Sequence, residues 1–227
     1  RDLVRSRGLG DVYKRQELNS DVKSVKGKPV KIWQGGFKNA HELGGGFGME
    51  GSHMYRINGK YYITCPAGGT GGWQICLRSD NIYGPYEHKL IMNDWSSYPE
   101  NGLHQGGMVQ LKNGDWWFMI MQDRGPIGRV PCLVPVKWID GWPMLGDEGK
   151  DLITYPKPAT GKKSKIKSPA TTDEFNASQL GLQWQWNHNP DNSRWSLKER
   201  KGYMRLYASQ ASTLKDARNT LTQRVQG

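Results

Sequence analysis

The sequence predicts an all-β chain, part of a β-propeller followed by the start of a second β domain, and three observations carry that reading. Two segments read as hairpins whose alternating strands flank an Asn-Gly pair: HMYRINGKYYITCP around Asn58-Gly59 and GMVQLKNGDWWFMIMQ around Asn113-Gly114. They repeat each other at a spacing of 54–55 residues, with Met54 answering Met108, Asn58-Gly59 answering Asn113-Gly114, and Tyr61-Tyr62 answering Trp116-Trp117. That spacing is the scale of one propeller blade with its loops. Glycine supplies 29 of the 227 residues in short clusters without a triplet period, which excludes collagen and promises many tight turns.

Taken in order, the chain divides into four pieces. Residues 1–16, RDLVRSRGLGDVYKRQ, show no periodicity, cap or turn logic and resemble read-through translation of an adaptor; they read as a non-native or disordered tail. Residues 17–151 alternate strand and turn. Two visible blades cannot close a propeller by themselves, because each blade buries its faces against its neighbours, so this piece reads as the later part of a larger wheel. Residues 152–172, with Pro156, Pro158, Gly161, Pro169 and a run of lysines, read as an exposed linker. Residues 173–227 turn to aromatic strands such as LGLQWQWNHNP and GYMRLYAS, with Trp184 and Trp186 at period two, and stop at the strand-like TLTQRVQG; they read as the truncated beginning of a second β domain.

The formal charge of +11 invites a nucleic-acid reading, but its distribution argues against one. Residues 1–16 hold five basic and two acidic residues, and Tyr155 to Ser168 hold five lysines and no acid, so only +3 remains for the rest. A basic linker attracts polyanions weakly, whereas groove reading needs Arg and Lys clustered on an ordered element. No specific nucleic-acid partner is expected. Nor is a membrane partner, since no run approaches the roughly 18 apolar residues of a spanning helix.

Cys65, Cys76 and Cys132 lack CxxC spacing, which argues against a zinc site and a disulfide framework. The one sequon, Asn176-Ala177-Ser178, matters only in a secreting eukaryote, and the compartment is left open.

Most short catalytic motifs fail. Gly46-Phe47-Gly48-Met49-Glu50-Gly51 matches a dinucleotide fingerprint as a string, but a hairpin follows it and no crossover helix offers its N-terminus to a phosphate. GxxxxGK[ST], HExxH and GxSxG do not occur. What remains is positional: in the repeat, Glu50 precedes Met54 by four residues and His104 precedes Met108 by four, so both fall just ahead of the first strand of their blade. The innermost strands of a propeller line its axis, where a carboxyl and an imidazole from successive blades would face one pocket. Against this stand the ordinary roles of such residues, a solvated glutamate in a Gly-rich loop and a satisfied structural histidine.

Four segments then carry a resemblance. Glu50-Gly51-Ser52-His53-Met54-Tyr55 followed by INGKYYI resembles the general-acid segment of glycoside hydrolase family 43, whose pattern is E-G-P-H-x-Y before a hairpin. His104-Gln105-Gly106-Gly107 before NGDWWFM resembles its central histidine segment, and Gly128-Arg129-Val130 leading into LVPVKWIDGWPMLG resembles its arginine-bearing blade. DEFNASQLGLQWQWNHNPDNSRWSL resembles the opening of the β-sandwich behind the propeller in many of its xylosidases.

The resemblance implies an all-β fold, a partial five-bladed β-propeller followed by the start of a concanavalin-like β-sandwich. It implies an inverting glycoside hydrolase that removes xylose or arabinose from plant polysaccharides, a β-xylosidase first of all, with a non-catalytic carbohydrate-binding protein as the alternative. Glu50 would be the general acid, a partly buried carboxyl with raised pKa giving its proton to the departing oxygen. His104 would sit under the sugar near a central water or calcium, and Arg129 would bond sugar hydroxyls. Trp73, Trp116 and Trp117 could offer stacking faces, although blade packing is the commoner role of such rings. The chemistry needs no cofactor; calcium at the propeller centre, reached by His104 through water, is the possible one.

The family pattern is incomplete in this chain. Inversion needs a second carboxylate about 6.5–9.5 Å from the acid to activate water, and the family's base and modulating aspartates belong to blades that precede the acid. Only 33 residues, Glu17 to Met49, lead up to Glu50, while Asp94, Asp115 and Asp123 follow it and match none of those positions. A fragment without its catalytic base is therefore expected.

Overall fold

The structure, a computed structural model, describes residues 4–9, 12–34, 50–93, 101–150, 154–161, 165, 168 and 170–223. Two compact units are present, Arg1–Lys162 and Lys163–Gly227. Asp94, Gly46 to Met49 of the fingerprint string, part of the expected linker and residues 224–227 lie outside the described residues.

The first unit is three antiparallel meanders. The first joins β1 (Val4–Leu9), β2 (Val12–Leu18) and β3 (Val25–Gln34). The second joins β4 (His53–Ile57), β5 (Lys60–Ala67), β6 (Trp73–Ser79) and β7 (Glu87–Met92). The third joins β8 (His104–Gln110), β9 (Trp116–Asp123), β10 (Arg129–Ile139) and β11 (Trp142–Leu145). Two four-stranded meanders in succession are two propeller blades, as the repeat predicts.

Turn chemistry sets the registers. Asn58 and Gly59 take φ of 49° and 84°, and Ile57 pairs with Lys60, which makes the expected two-residue turn. Asn113-Gly114 differs: Gly114 N–H donates to Leu111 O at 3.0 Å and Leu111 N–H to Asp115 O at 2.8 Å, a three-residue loop closed by Gly114 at φ 93°. The extra residue lengthens the second hairpin, which is why the repeat drifts from 54 to 55 residues. A further two-residue turn at Asp140-Gly141, φ 50° and 72°, joins β10 to β11.

The middle meander is buried on both faces. Along β5 and β6, Ile63, Cys65, Ala67, Ile75 and Leu77 join Tyr13 and Ile32 of the first meander, while Tyr62 and Cys76 join Phe118, Ile120, Val134, Trp142 and Leu145 of the third. Period two sends successive side chains to opposite sides, so the nearly continuous apolar run YYITCPA serves two interfaces at once. The thiols of Cys65 and Cys76 are buried, and burial pushes the Cys65 thiol up to about 12.

The blades are also tied by polar contacts. Met108 N–H donates to the Tyr55 hydroxyl oxygen at 2.7 Å, the Tyr62 hydroxyl donates to Gly141 O at 3.0 Å, and Arg78 donates from Nη1 to Asp140 O at 2.8 Å with its guanidinium 4.1 Å over the Trp142 ring. Tyr55→Phe leaves the Met108 N–H without that acceptor, and a loss of about 1–3 kcal/mol is expected. Urea unfolding with an unchanged m-value measures it.

One expectation is corrected here. The later part of the expected tail, residues 12–16, is ordered: Val12–Leu18 is the central strand of the first meander, with Tyr13 at 0% and Arg15 at 2% exposure. Alternation with period two is present in VYKRQ, but with polar Lys14 and Gln16 on either side of Arg15 it has no apolar signature, since the second buried residue is an arginine.

The second unit holds β12 (Trp184–Trp186) paired with β15 (Leu221–Gln223), and β13 (Trp195–Ser196) paired with β14 (Arg205–Leu206). Trp184 stacks on Phe175 at 5.7 Å and donates from Nε1 to Asp173 at 2.9 Å, and Trp186 meets Trp195 at 5.3 Å. These rings pack against one another, the role of core residues.

Candidate active site

Meander topology gathers the sequence candidates at one end of the two blades. Because neighbouring strands alternate direction, the starts of β4, β6, β8 and β10 and the end of β9 share that end. Glu50 precedes β4, Trp73 opens β6, His104 opens β8, Asp123 closes β9 and Arg129 opens β10. The three hairpin turns lie at the other end.

His104 is 5% exposed and its position depends on a β-bulge. His104 pairs with Met121 and Gly106 with Ile120, so Gln105 is the extra residue, held at φ 57°. Its N–H donates to the buried Gln74 Oε1 at 2.8 Å. Glycines make the room: a Cβ on Gly72 would lie 2.9 Å from His104 Cγ, and one on Gly106 would lie 1.8 Å from Met119 O. The imidazole Nδ1 sits 3.0 Å from Gly102 O, and Nε2 lies 3.7 Å from Asp123 Oδ2.

Asp123 faces Arg129 with its other oxygen, Oδ1 lying 3.5 Å from Nε across the directly paired positions of β9 and β10. The structure therefore brings His104 and Arg129 together through a carboxylate that the sequence reading set aside. The available signal was a carboxylate and an arginine flanking a Gly-rich turn, RGPIG, as cross-strand partners do. Gln74 and Gln105 were missed as well, and no motif marks them, because their contact depends on the bulge.

Glu50 is placed differently from the expectation. It is exposed, and among the described residues no hydrogen bond or ion pair joins it to His104 or Arg129, so the burial expected of a proton donor is not found here. Its segment is nonetheless close: Gly51, at φ 59°, packs so tightly on Gln105 that a Cβ would lie 2.7 Å from its Nε2. Below it, burial raises the Tyr13 hydroxyl far above its ordinary range, with hydrogen-bonded Cys65 and the nearby Glu50 carboxylate adding to the effect.

Trp73 is half-buried in the packing of β5 and β6, with its ring against Gly68, where a Cβ would lie 2.4 Å away. Trp117 is buried at 8% exposure, and Trp116 is half-buried, edge-on to Trp138 at 5.6 Å. Packing thus accounts for most of each ring. The described residues contain no group of three His, Cys, Asp or Glu side chains able to hold a metal ion, and the His104 nitrogens already face Gly102 O and Asp123, so these residues do not fit a directly bound calcium.

Comparison with known proteins identifies the family of the chain. The family model described as Glycosyl hydrolases family 43 matches residues 10–143, and that of the Beta xylosidase C-terminal Concanavalin A-like domain matches residues 172–227. A putative beta-xylosidase of Xylanibacter ruminicola is 42% identical over 185 residues, covering 78% of this chain and 35% of that protein. A non-reducing end alpha-L-arabinofuranosidase of Bacteroides ovatus is 35% identical over 176 residues, covering 71% of the chain and 33% of that protein. A solved structure titled as a bifunctional GH43-CE protein of Bacteroides eggerthii aligns with TM-score 0.79 at 37% identity, covering 98% of the chain and 28% of that structure. The chain thus spans about a third of the length of the curated relatives it matches. Its fold is a partial five-bladed β-propeller followed by the start of a concanavalin-like β-sandwich, and the chain belongs to glycosyl hydrolases family 43.

Proposed function

We propose that these residues form part of an inverting glycoside hydrolase that removes xylose or arabinose units from plant oligosaccharides, with a β-xylosidase as the leading activity. The single observation that carries the reading is the packing of Gly51 on Gln105, which sets the Glu50 segment beside the bulge that holds His104. Glu50 is the general acid, protonating the departing glycosidic oxygen. Its exposure in this chain fits a group whose remaining walls come from other blades. Arg129, 70% exposed at the side chain, donates to sugar hydroxyls, and His104 forms the floor. The exposed part of Trp73, at the same end of its blade, adds apolar contact with a sugar ring.

The names of the relatives favour both sugars, beta-xylosidase and alpha-L-arabinofuranosidase. Choosing between them rests on hydroxyl contacts from several loops. The acid alone does not complete inversion, since a base must activate water on the opposite face of the ring. On this proposal the base comes from another blade of the wheel. Calcium enters no step of this proposal.

The test is an assay of the 227-residue chain beside the longer protein that carries it, on aryl β-xylosides and α-arabinofuranosides. No measurable turnover is expected from the chain and clear turnover from the longer protein. Turnover by the chain that Glu50→Gln abolishes would refute the missing-base reading.

A further inference from the structure

We propose that Asp123 is a positioning residue of the sugar site, aiming Arg129 at the substrate and holding His104 beneath it; this rests on the reading of the site given above. The carboxylate reaches both partners because β8, β9 and β10 are adjacent, with His104 opposite Met121 and Arg129 opposite Asp123. Met121 and Asp123 are two residues apart on β9 and share a face, so Asp123 lies between the other two side chains. One oxygen faces His104 Nε2 at 3.7 Å and the other faces Arg129 Nε at 3.5 Å.

Its backbone is fixed from both sides. Asn101 donates from Nδ2 to Asp123 O at 2.6 Å, and Gln122 donates from Nε2 to Asn101 O at 2.8 Å. Arg124 N–H donates to Gly128 O at 2.9 Å, closing the turn that leads to Arg129. The carboxylate therefore leaves a rigid strand end, and its side chain is 20% exposed against 70% for Arg129. A carboxylate so shielded exerts a stronger field than one in open solvent.

The contact atom decides what this field does. Asp123 faces the Nε edge of the guanidinium, and among the described residues no hydrogen bond or ion pair takes its terminal nitrogens, which leaves four of the five N–H donors for hydroxyl groups of a bound pentose. An exposed arginine without such a partner distributes over many rotamers, and a sugar must then select one of them. Orientation by Asp123 lowers that ordering cost for substrate and transition state alike, so it acts on binding more than on the chemical step.

Asp123→Asn in the longer protein preserves shape and removes the charge. KM for an aryl β-xyloside is expected to rise about tenfold while kcat changes less than about threefold, the scale of losing one charge-assisted contact. Arg129→Lys alone raises KM in the same way, and the double variant is no worse than Arg129→Lys, because each change removes the same interaction. An unchanged KM in Asp123→Asn, a change confined to melting temperature, or additive effects in the double variant would overturn the proposal. Should the Asn variant fail to fold, Asp123→Glu combined with Arg129→Lys reads the same coupling. Glu50→Gln separates the two levels: if it abolishes turnover while Asp123→Asn leaves KM alone, only this proposal fails. If Glu50→Gln leaves turnover of xylo-oligosaccharides intact, the reading of the site fails and Asp123 with it.

Discussion

Glu50→Gln in the longer protein is expected to lower turnover of xylo-oligosaccharides by about 10²–10⁴-fold, the usual contribution of a positioned proton donor. Gln is nearly isosteric and keeps hydrogen-bonding capacity, so substrate binding should persist while proton delivery is lost. The dependence on the leaving group makes the effect specific. A sugar alkoxide departs poorly without a proton, whereas an activated nitrophenolate leaves as a stable anion, so the variant should retain most of its turnover on dinitrophenyl glycosides. Equal losses on both substrates would remove Glu50 from the role of acid. Unchanged turnover on both, with sugar affinity retained, would favour a carbohydrate-binding protein.

Gly106→Ala is expected to have the largest structural effect. Its Cβ would be placed 1.8 Å from Met119 O, and the obstacle is the backbone of the neighbouring strand, which cannot swing aside as a side chain can. β8 must move away from β9, breaking the ladder that ends in the Gln105 bulge. The cost should reach or exceed the overpacking range of about 1–3 kcal/mol, which lowers the melting temperature of a unit this size by roughly 3–12 °C. Gly114→Ala is the control: Gly114 takes positive φ, at 93°, and nothing lies within 4 Å of its missing Cβ. Only the local strain of about 1 kcal/mol applies there. Thermal unfolding of the two variants side by side measures the difference, and equal melting points would contradict the packing argument.

The parts of this fold that were legible in the sequence are those encoded over a few residues. Asn58-Gly59 between alternating strands fixes a turn type and a register without help from elsewhere. Asn113-Gly114 looks the same as a dipeptide, but its loop closes between Leu111 and Asp115, a choice made by flanking pairing. The site was legible in its members and not in its connections. His104 and Arg129 stand out by motif, while the carboxylate between them is visible only once β9 is placed in register. Glu50 was expected to be buried because its role requires it, yet burial belongs to the surroundings of a residue and is not a property of its motif. Tyr13 shows the converse, a segment without pattern that acquires a buried ring from its neighbours.

The double-sided burial of the β4–β7 meander makes it a keystone. Ile63, Ile75 and Leu77 look one way, and Tyr62 and Cys76 the other. When this blade leaves the ribosome, one side can close at once on strands already made, and the other waits for some fifty residues of later chain. During that interval an oily surface is bare, and a single-residue slip would exchange the two sets of side chains. Selection on these strands therefore acts on both sides simultaneously, which leaves them less room for polar change than the outermost strands of the wheel.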